Sequence, residues 1–119
     1  MAHKIASAKF RIHFGDEIAM GPGKADMLEA IRASGSISQA ARQLGMSYKR
    51  AWNLVDTMNR CFREPLVDTA TGGGGGGGAR VTPFGEQVLA HFRTMEKNTD
   101  AAIRAELGAF ARLLAAKPG

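Results

Sequence analysis

Residues 36–60 read SISQAARQLGMSYKRAWNLVDTMNR, two short helical segments joined at Leu44-Gly45-Met46-Ser47. Small Ala40 and Ala41 lie one turn before Leu44. Gly45 supplies the residue that can take a positive φ and end the first segment, because glycine has no Cβ to clash there. Ser36 or Ser38 caps the first helix, and Ser47 caps the second, its hydroxyl accepting from an otherwise orphaned amide. The second helix carries Ala51, Leu54, Val55 and Met58 at helical spacing, which predicts one buried face. Its other face presents the long donors Tyr48, Lys49, Arg50 and Asn53. A tight turn of small residues lets two helices cross steeply and pushes the second outward, the arrangement that enters a DNA major groove. The stretch reads as a helix-turn-helix.

Upstream, Lys9–Phe14 alternates polar and apolar, the period of a half-buried strand, and Gly15-Asp16 closes it. A short Glu17–Met20 segment and a Gly21-Pro22-Gly23 turn follow. A first helix is predicted over Lys24–Ala33, with Met27, Leu28 and Ile31 facing inward and Ser34-Gly35 ending it. The second runs to about Leu44 and the third from Ser47 to about Cys61, where Pro65 lies just beyond.

Downstream, Leu66–Thr71 and Ala79–Thr82 have strand character and flank seven glycines, Gly72–Gly78. A phosphate-binding nucleotide loop would continue with Lys-Ser/Thr and a helix start. Here Ala79-Arg80-Val81 follows, so the segment reads as the wing of a winged helix-turn-helix or as a plain flexible hairpin tip. In the wing reading, glycine backbone approaches phosphates closely and Arg80 reaches a minor groove.

Thr82-Pro83 then opens a long helix, threonine as cap and proline at the first helical position. Val88, Phe92, Met95, Thr99, Ala102, Leu107, Phe110 and Leu114 step mostly by three and four along it, with Gly108 a candidate bend. A helix of about 30 residues extends about 45 Å, more than one small domain covers. The excess apolar face predicts a homodimer through Val88, Phe92, Met95, Ala102, Leu107, Phe110 and Leu114, against a fold-back onto its own domain. The expected fold is mainly α. It comprises a winged helix-turn-helix core over 1–82 (helix-turn-helix 36–61, wing 65–82) and the long helix over 83–119, one domain overall.

Composition agrees. The chain has 119 residues, a net charge of +5 and a pI near 9.9. Residues 36–63 hold Arg42, Lys49, Arg50, Arg60 and Arg63 against Asp56 alone, whereas the flanking segments are near balance. Positive charge thus gathers on the stretch that phosphate neutralisation would need. The sequence has no apolar run of membrane-spanning length and no signal-peptide centre, and Cys61 is the single cysteine, which suits a reducing cytoplasm. His3, His13 and His91 have no metal-ligand spacing, and a soft-metal site of His91, Met95 and Cys61 competes with a plain half-buried histidine. Asp16-Glu17 and Asp26…Glu29 read as helix-start charges. No catalytic arrangement, cofactor or metal is assigned.

SISQAARQLGMSYKRAWNLVDTMN, followed by PLVDTATGGGGGGGARVTPFGEQVLAHF, resembles the N-terminal DNA-binding domain of the ModE family of molybdate-responsive transcriptional regulators, over roughly residues 8–110. Its most specific pieces are SYKRAWNLVDTMN and the glycine-rich wing ending in Thr82–Gly85. More distantly it is similar to the LysR type, through Ala40-Ala41…Leu44-Gly45-x-Ser47 and the long helix, while Trp52 and the glycine wing favour ModE. The resemblance implies a homodimer, joined by N-terminal strand and long helix, on an inverted-repeat operator of double-stranded DNA. It places Ser47, Tyr48, Lys49, Arg50 and Asn53 in the major groove, with Arg50 or Lys49 on guanine and Asn53 on adenine. Ser38, Gln39 and Arg42 would touch phosphate, and Thr71 and Arg80 belong to the wing. Trp52 is left between packing under the wing and contacting the backbone.

Full-length ModE proteins bind molybdate in a separate C-terminal pair of small β domains. This chain reaches Gly119 directly after its long helix, so molybdate sensing is absent, or supplied by a separate effector-sensing protein, or the sequence is a fragment. Its start at Met1 and its C-terminal tail favour the reading of a complete one-domain protein. The competing readings are a winged-helix protein-interaction module, a non-specific architectural DNA binder, and an oxyanion sensor between two long helices.

Overall fold

Ala40 and Ala41 on one helix and Ala51 on the next are all buried, and with no side chain beyond Cβ they let the helices that carry them meet closely. Around them a computed structural model, which describes residues 6–69 and 78–117, arranges eight elements. These are β1 (Ile12–Phe14), β2 (Glu17–Met20), α1 (Pro22–Ser34), α2 (Ile37–Gln43), α3 (Tyr48–Cys61), β3 (Val67–Thr69), β4 (Ala79–Val81) and α4 (Pro83–Ala111). The core is one cluster to which every helix contributes, including Met27, Leu28 and Ile31 from α1, Val55 and Met58 from α3, and Leu89 and Phe92 from α4.

Each helix boundary has a local cause. α1 starts at Pro22, two residues before the sequence expectation, because proline at the first helical position gives up no bond it would otherwise make. Gly35 at φ 73° ends it, its amide donating to the Ile31 carbonyl. Ser36, not Ser38, caps α2, accepting from the Gln39 amide at 3.1 Å. Gly45 takes φ 68°, and Ser47 caps α3 by accepting from the Arg50 amide at 3.1 Å. Thr82 is buried and caps α4 rather than extending β4.

The N-terminal alternation resolves into a hairpin. β1 pairs antiparallel with β2 (Ile12↔Met20, His13↔Ile18, Phe14↔Glu17) across a turn at Gly15, φ 62°. Phe10 stacks on Phe92 with ring centroids 5.2 Å apart, and Ile12 packs on the core. Phe14, at the hairpin end, overshoots the core and is 65% exposed, so the inward alternation stops before it.

β3 and β4 pair antiparallel as Val67↔Val81, Asp68↔Arg80 and Thr69↔Ala79. Their root is tied to three other elements. Asn59 near the end of α3 accepts from the Leu66 and Val67 amides at 2.8 and 3.2 Å and donates to the Val67 carbonyl at 3.1 Å. The Ala79 amide donates to the Gly35 carbonyl at 2.9 Å. Thr82 donates its amide to the Leu66 carbonyl at 2.9 Å and its hydroxyl to the Pro65 carbonyl at 2.8 Å, while accepting from the Gly85 amide at 2.9 Å. Gly85 is required here: a Cβ would overlap the Leu66 carbonyl oxygen and come within 2.8 Å of Val81 Cγ1.

α4 runs 29 residues without interruption at Gly108. Its buried residues, Gly85, Leu89 and Phe92, all lie in its first ten residues. Two of the residues expected at a dimer surface therefore belong to the protomer itself. Phe92 is 1% exposed inside the core, and Val88 is half-buried against it. Met95, Ala102, Phe110 and Leu114 are exposed and Leu107 is half-buried. Asp26 and Glu29 are not helix-start charges: with Glu96 they surround Arg93, at 2.8, 3.0 and 2.8 Å, and so join α1 to α4. Glu17 likewise sits in β2, paired with Arg60 at 3.0 Å.

Three expectations follow from this packing. Gly85→Ala should destabilise the fold by about 1–3 kcal/mol, the usual range for forcing an extra carbon into a packed site, read by denaturant unfolding. Asn59→Ala should cost about 1–3 kcal/mol by leaving two amides and a carbonyl of the wing root without their partner, again read by denaturant. The Arg93 hydrogen bond holds the Glu29 carboxyl below the usual value of 4.5, with burial opposing. A depressed carboxyl stabilises the fold above its unfolded value and loses that contribution as pH falls through the folded one. Thermal stability should therefore fall as pH drops below the usual carboxylate value of 4.5, and Glu29→Gln should flatten part of that fall.

Candidate nucleic-acid interface

The burial pattern of α3 decides which side chains it can offer. Ala51, Val55 and Met58 are buried and Leu54 is half-buried, so Tyr48, Lys49, Arg50, Trp52, Asn53, Asp56 and Arg60 stand in solvent. Ser47 is exposed at the helix start. Ser38, Gln39 and Arg42 of α2 are also exposed. The Gln39 amide is already committed to the Ser36 hydroxyl, so only its side chain is open to a ligand.

The five cations of residues 36–63 do not act as one patch. Arg60 donates to Asp56 and to Glu17, each at 3.0 Å, and these bonds raise its pKa. Arg63 lies over the Phe84 ring, 5.5 Å from its centroid, and 4.0 Å from Glu64. Arg42, Lys49 and Arg50 carry no ion pair among the described residues. The uncommitted charge is thus confined to α2 and the first turn of α3. Burial is the main cause lowering the Lys24 pKa, with the charges of Arg11 and Arg50 adding to it and those of Cys61 and Glu17 opposing it. Sequence spacing gives no hint that α1 brings this ammonium near Arg50.

In the wing, Arg80 is exposed and pairs with Asp68 at 3.3 Å, the residue directly opposite it. Thr71 lies outside the described residues. Trp52 is 40% exposed on the side of α3 that Asn59, seven residues on, ties to β3.

His91 is exposed rather than half-buried, and no group of three or more metal-ligating His, Cys, Asp or Glu side chains occurs among the described residues. Cys61 is free and half-buried. No helix among the described residues is long and apolar enough to cross a membrane.

Residues 24–86 match the family described as "Bacterial regulatory helix-turn-helix protein, lysR family". Among curated relatives, the "Molybdenum-pterin-binding protein MopA" of Rhodobacter capsulatus is 47% identical over 77 residues, 65% of this chain and 29% of that protein. The "Molybdenum transport protein ModE" of Azotobacter vinelandii is 40% identical over 85 residues, 71% of this chain and 32% of its own length. The "DNA-binding transcriptional dual regulator ModE" of Escherichia coli K12 is 46% identical over 68 residues, 57% of this chain and 26% of its own. The chain therefore spans about a third or less of the length of these relatives. The matched span takes in most of α1, all of α2 and α3, the β3–β4 strands and the start of α4, and the chain belongs to the bacterial regulatory helix-turn-helix proteins of the lysR family.

Proposed function

We propose that this chain binds an inverted-repeat operator as a homodimer and regulates transcription in the manner of the ModE-type relatives, in the cytoplasm, with molybdenum-related genes the class their names suggest. The observation that carries the reading is the sorting of charge. Arg60 and Arg63 are spent on intramolecular partners, while Arg42, Lys49 and Arg50 carry no ion pair among the described residues and stand beside exposed hydrogen-bonding side chains. Lys49 or Arg50 reads guanine and Asn53 reads adenine in the major groove. Ser38, the Gln39 side chain and Arg42 hold phosphate, and Arg80 and Thr71 act from the wing. The effector signal reaches the dimer from elsewhere than the helix-turn-helix.

Selection of bound duplexes from a random pool at physiological salt tests this. Enrichment of an inverted repeat with half-sites about one helical turn apart supports a two-fold regulator; weak binding without enrichment identifies an architectural binder, and no binding a protein-interaction module. On the selected site, Arg50→Ala should lose about 10- to 100-fold in affinity and far less on random DNA. Arg42→Ala should weaken both alike and reduce the salt slope by about one unit. Arg60→Ala should leave both affinities unchanged. Equal loss on both DNAs for Arg50→Ala would remove that residue from base readout.

A further inference from the structure

Tyr48 and Trp52 are the chain's only tyrosine and only tryptophan, and the fold puts both on α3, one helical turn apart. Tyr48 is 52% exposed and Trp52 40%. Neither ring takes part in an aromatic or cation–π contact among the described residues. Adjacent aromatic side chains left in water mark a contact surface.

Asn59 fixes which way they point. Trp52 and Tyr48 precede it by seven and eleven residues, about two and three turns, so all three share one flank of α3. Asn59 is bonded to Val67 of β3 and to Leu66 just before it, which makes this flank the one towards the wing. Lys49 and Asn53 lie further round, opposite buried Ala51, Val55 and Met58. With α3 in a major groove, Lys49 and Asn53 meet the middle of the base-pair edges and the aromatic flank meets one wall.

The chemistry of that wall narrows the ligand. Base edges in the major groove present nitrogen and oxygen atoms, and the apolar group among them is the C5-methyl of thymine. In an A·T pair this methyl lies at the thymine end, beyond the adenine N6 and N7 that an asparagine grips. Asn53 on adenine therefore leaves the methyl of the paired thymine uncovered. Trp52 is the preceding residue, displaced about 100° round the helix towards the wing. Its indole face can cover a methyl without stripping water from a polar group, and Tyr48 continues the same apolar flank by one turn.

We propose that Trp52, with Tyr48 one turn before it, reads thymine C5-methyl groups on the wing-side wall of the major groove. This rests on the DNA-binding reading above and adds the base that its polar contacts leave unread.

The duplex recovered by the selection, remade with deoxyuridine for each thymine in turn, tests this, because the exchange removes a methyl and keeps every hydrogen bond. At one or more positions of the half-site, affinity should fall about fourfold per methyl. Trp52→Ala should bind the thymine and uracil duplexes equally, and Trp52→Phe should keep part of the difference. Unchanged circular dichroism certifies the fold of both variants, as the exposed position of the side chain predicts. A second readout needs no substitution. Trp52 is the only indole, so acrylamide quenching of its emission reports its cover, and quenching should fall on the thymine duplex and fall less on the uracil one. A methyl effect that persists in Trp52→Ala overturns the assignment. So does the absence of any methyl effect, and equal losses for Trp52→Ala on selected and random duplexes then identify a sugar contact. Quenching that DNA leaves unchanged also overturns it, the ring being kept for something else. A selection that enriches no site overturns the operator reading and this one with it, a result distinct from an enriched site blind to its methyls.

Discussion

The peptide unit at Leu66 is gripped on both sides. Its amide donates to Asn59 Oδ1, and its carbonyl accepts the Thr82 amide and lies against the bare Cα of Gly85. One short segment of backbone therefore registers the end of α3, the root of the wing and the start of α4 against one another. Each of these residues has one job set by geometry: an amide side chain that both donates and accepts, a hydroxyl that caps while donating, and a residue with no Cβ. Shift any of them and three elements lose their common reference. This knot fixes the end of α3, the helix whose other end carries the exposed side chains of the candidate interface.

The second organising constraint is electrostatic. Sixteen cationic residues against eleven acidic ones is a mild excess for the chain, but the folded arrangement redistributes it. Arg93 is enclosed by Asp26, Glu29 and Glu96, and Arg60 is claimed by Asp56 and Glu17. Those residues use charge to fasten elements together. Exposed ion pairs of this kind contribute little each, and a shared centre such as Arg93 contributes more through geometry than through Coulomb attraction. Of the five cations of residues 36–63, the three without an ion pair among the described residues, Arg42, Lys49 and Arg50, lie in α2 and the first turn of α3, beside the exposed polar side chains Gln39, Ser47 and Asn53.

Much of this was legible from local rules. Ser47, Gly45, the buried spacing of Ala51, Val55 and Met58, and the Thr82-Pro83 start each rest on near-neighbour chemistry, and each appears where the spacing placed it. What the sequence hid depends on distant partners. Arg60 and Arg63 count as free cations until β2 and α4 fold against them. Phe92 belongs to an apolar stripe until Phe10 arrives to cover it. Gly85 stands out in sequence only as the end of the Thr82–Gly85 motif, and its physical reason, the Leu66 carbonyl beside it, comes from a residue nineteen positions away. Residues 17–20 form a strand only because the turn at Gly15 brings them onto β1.

The anchoring of α4 has a mechanical consequence. Phe92 in the core and Arg93 among its carboxylates clamp the helix at one level, and the helical backbone continues to Ala111 without a proline or a break. Beyond the clamp it is a cantilever of about 27 Å, and a tilt of about 5° at the root displaces the tip by about 2 Å. A lever of that length converts side-chain rearrangements at the clamp, too small to disturb the fold, into movements comparable to an atomic diameter at the far end. Variation in Asp26, Glu29 or Glu96 would then be felt less as lost stability than as a change of aim.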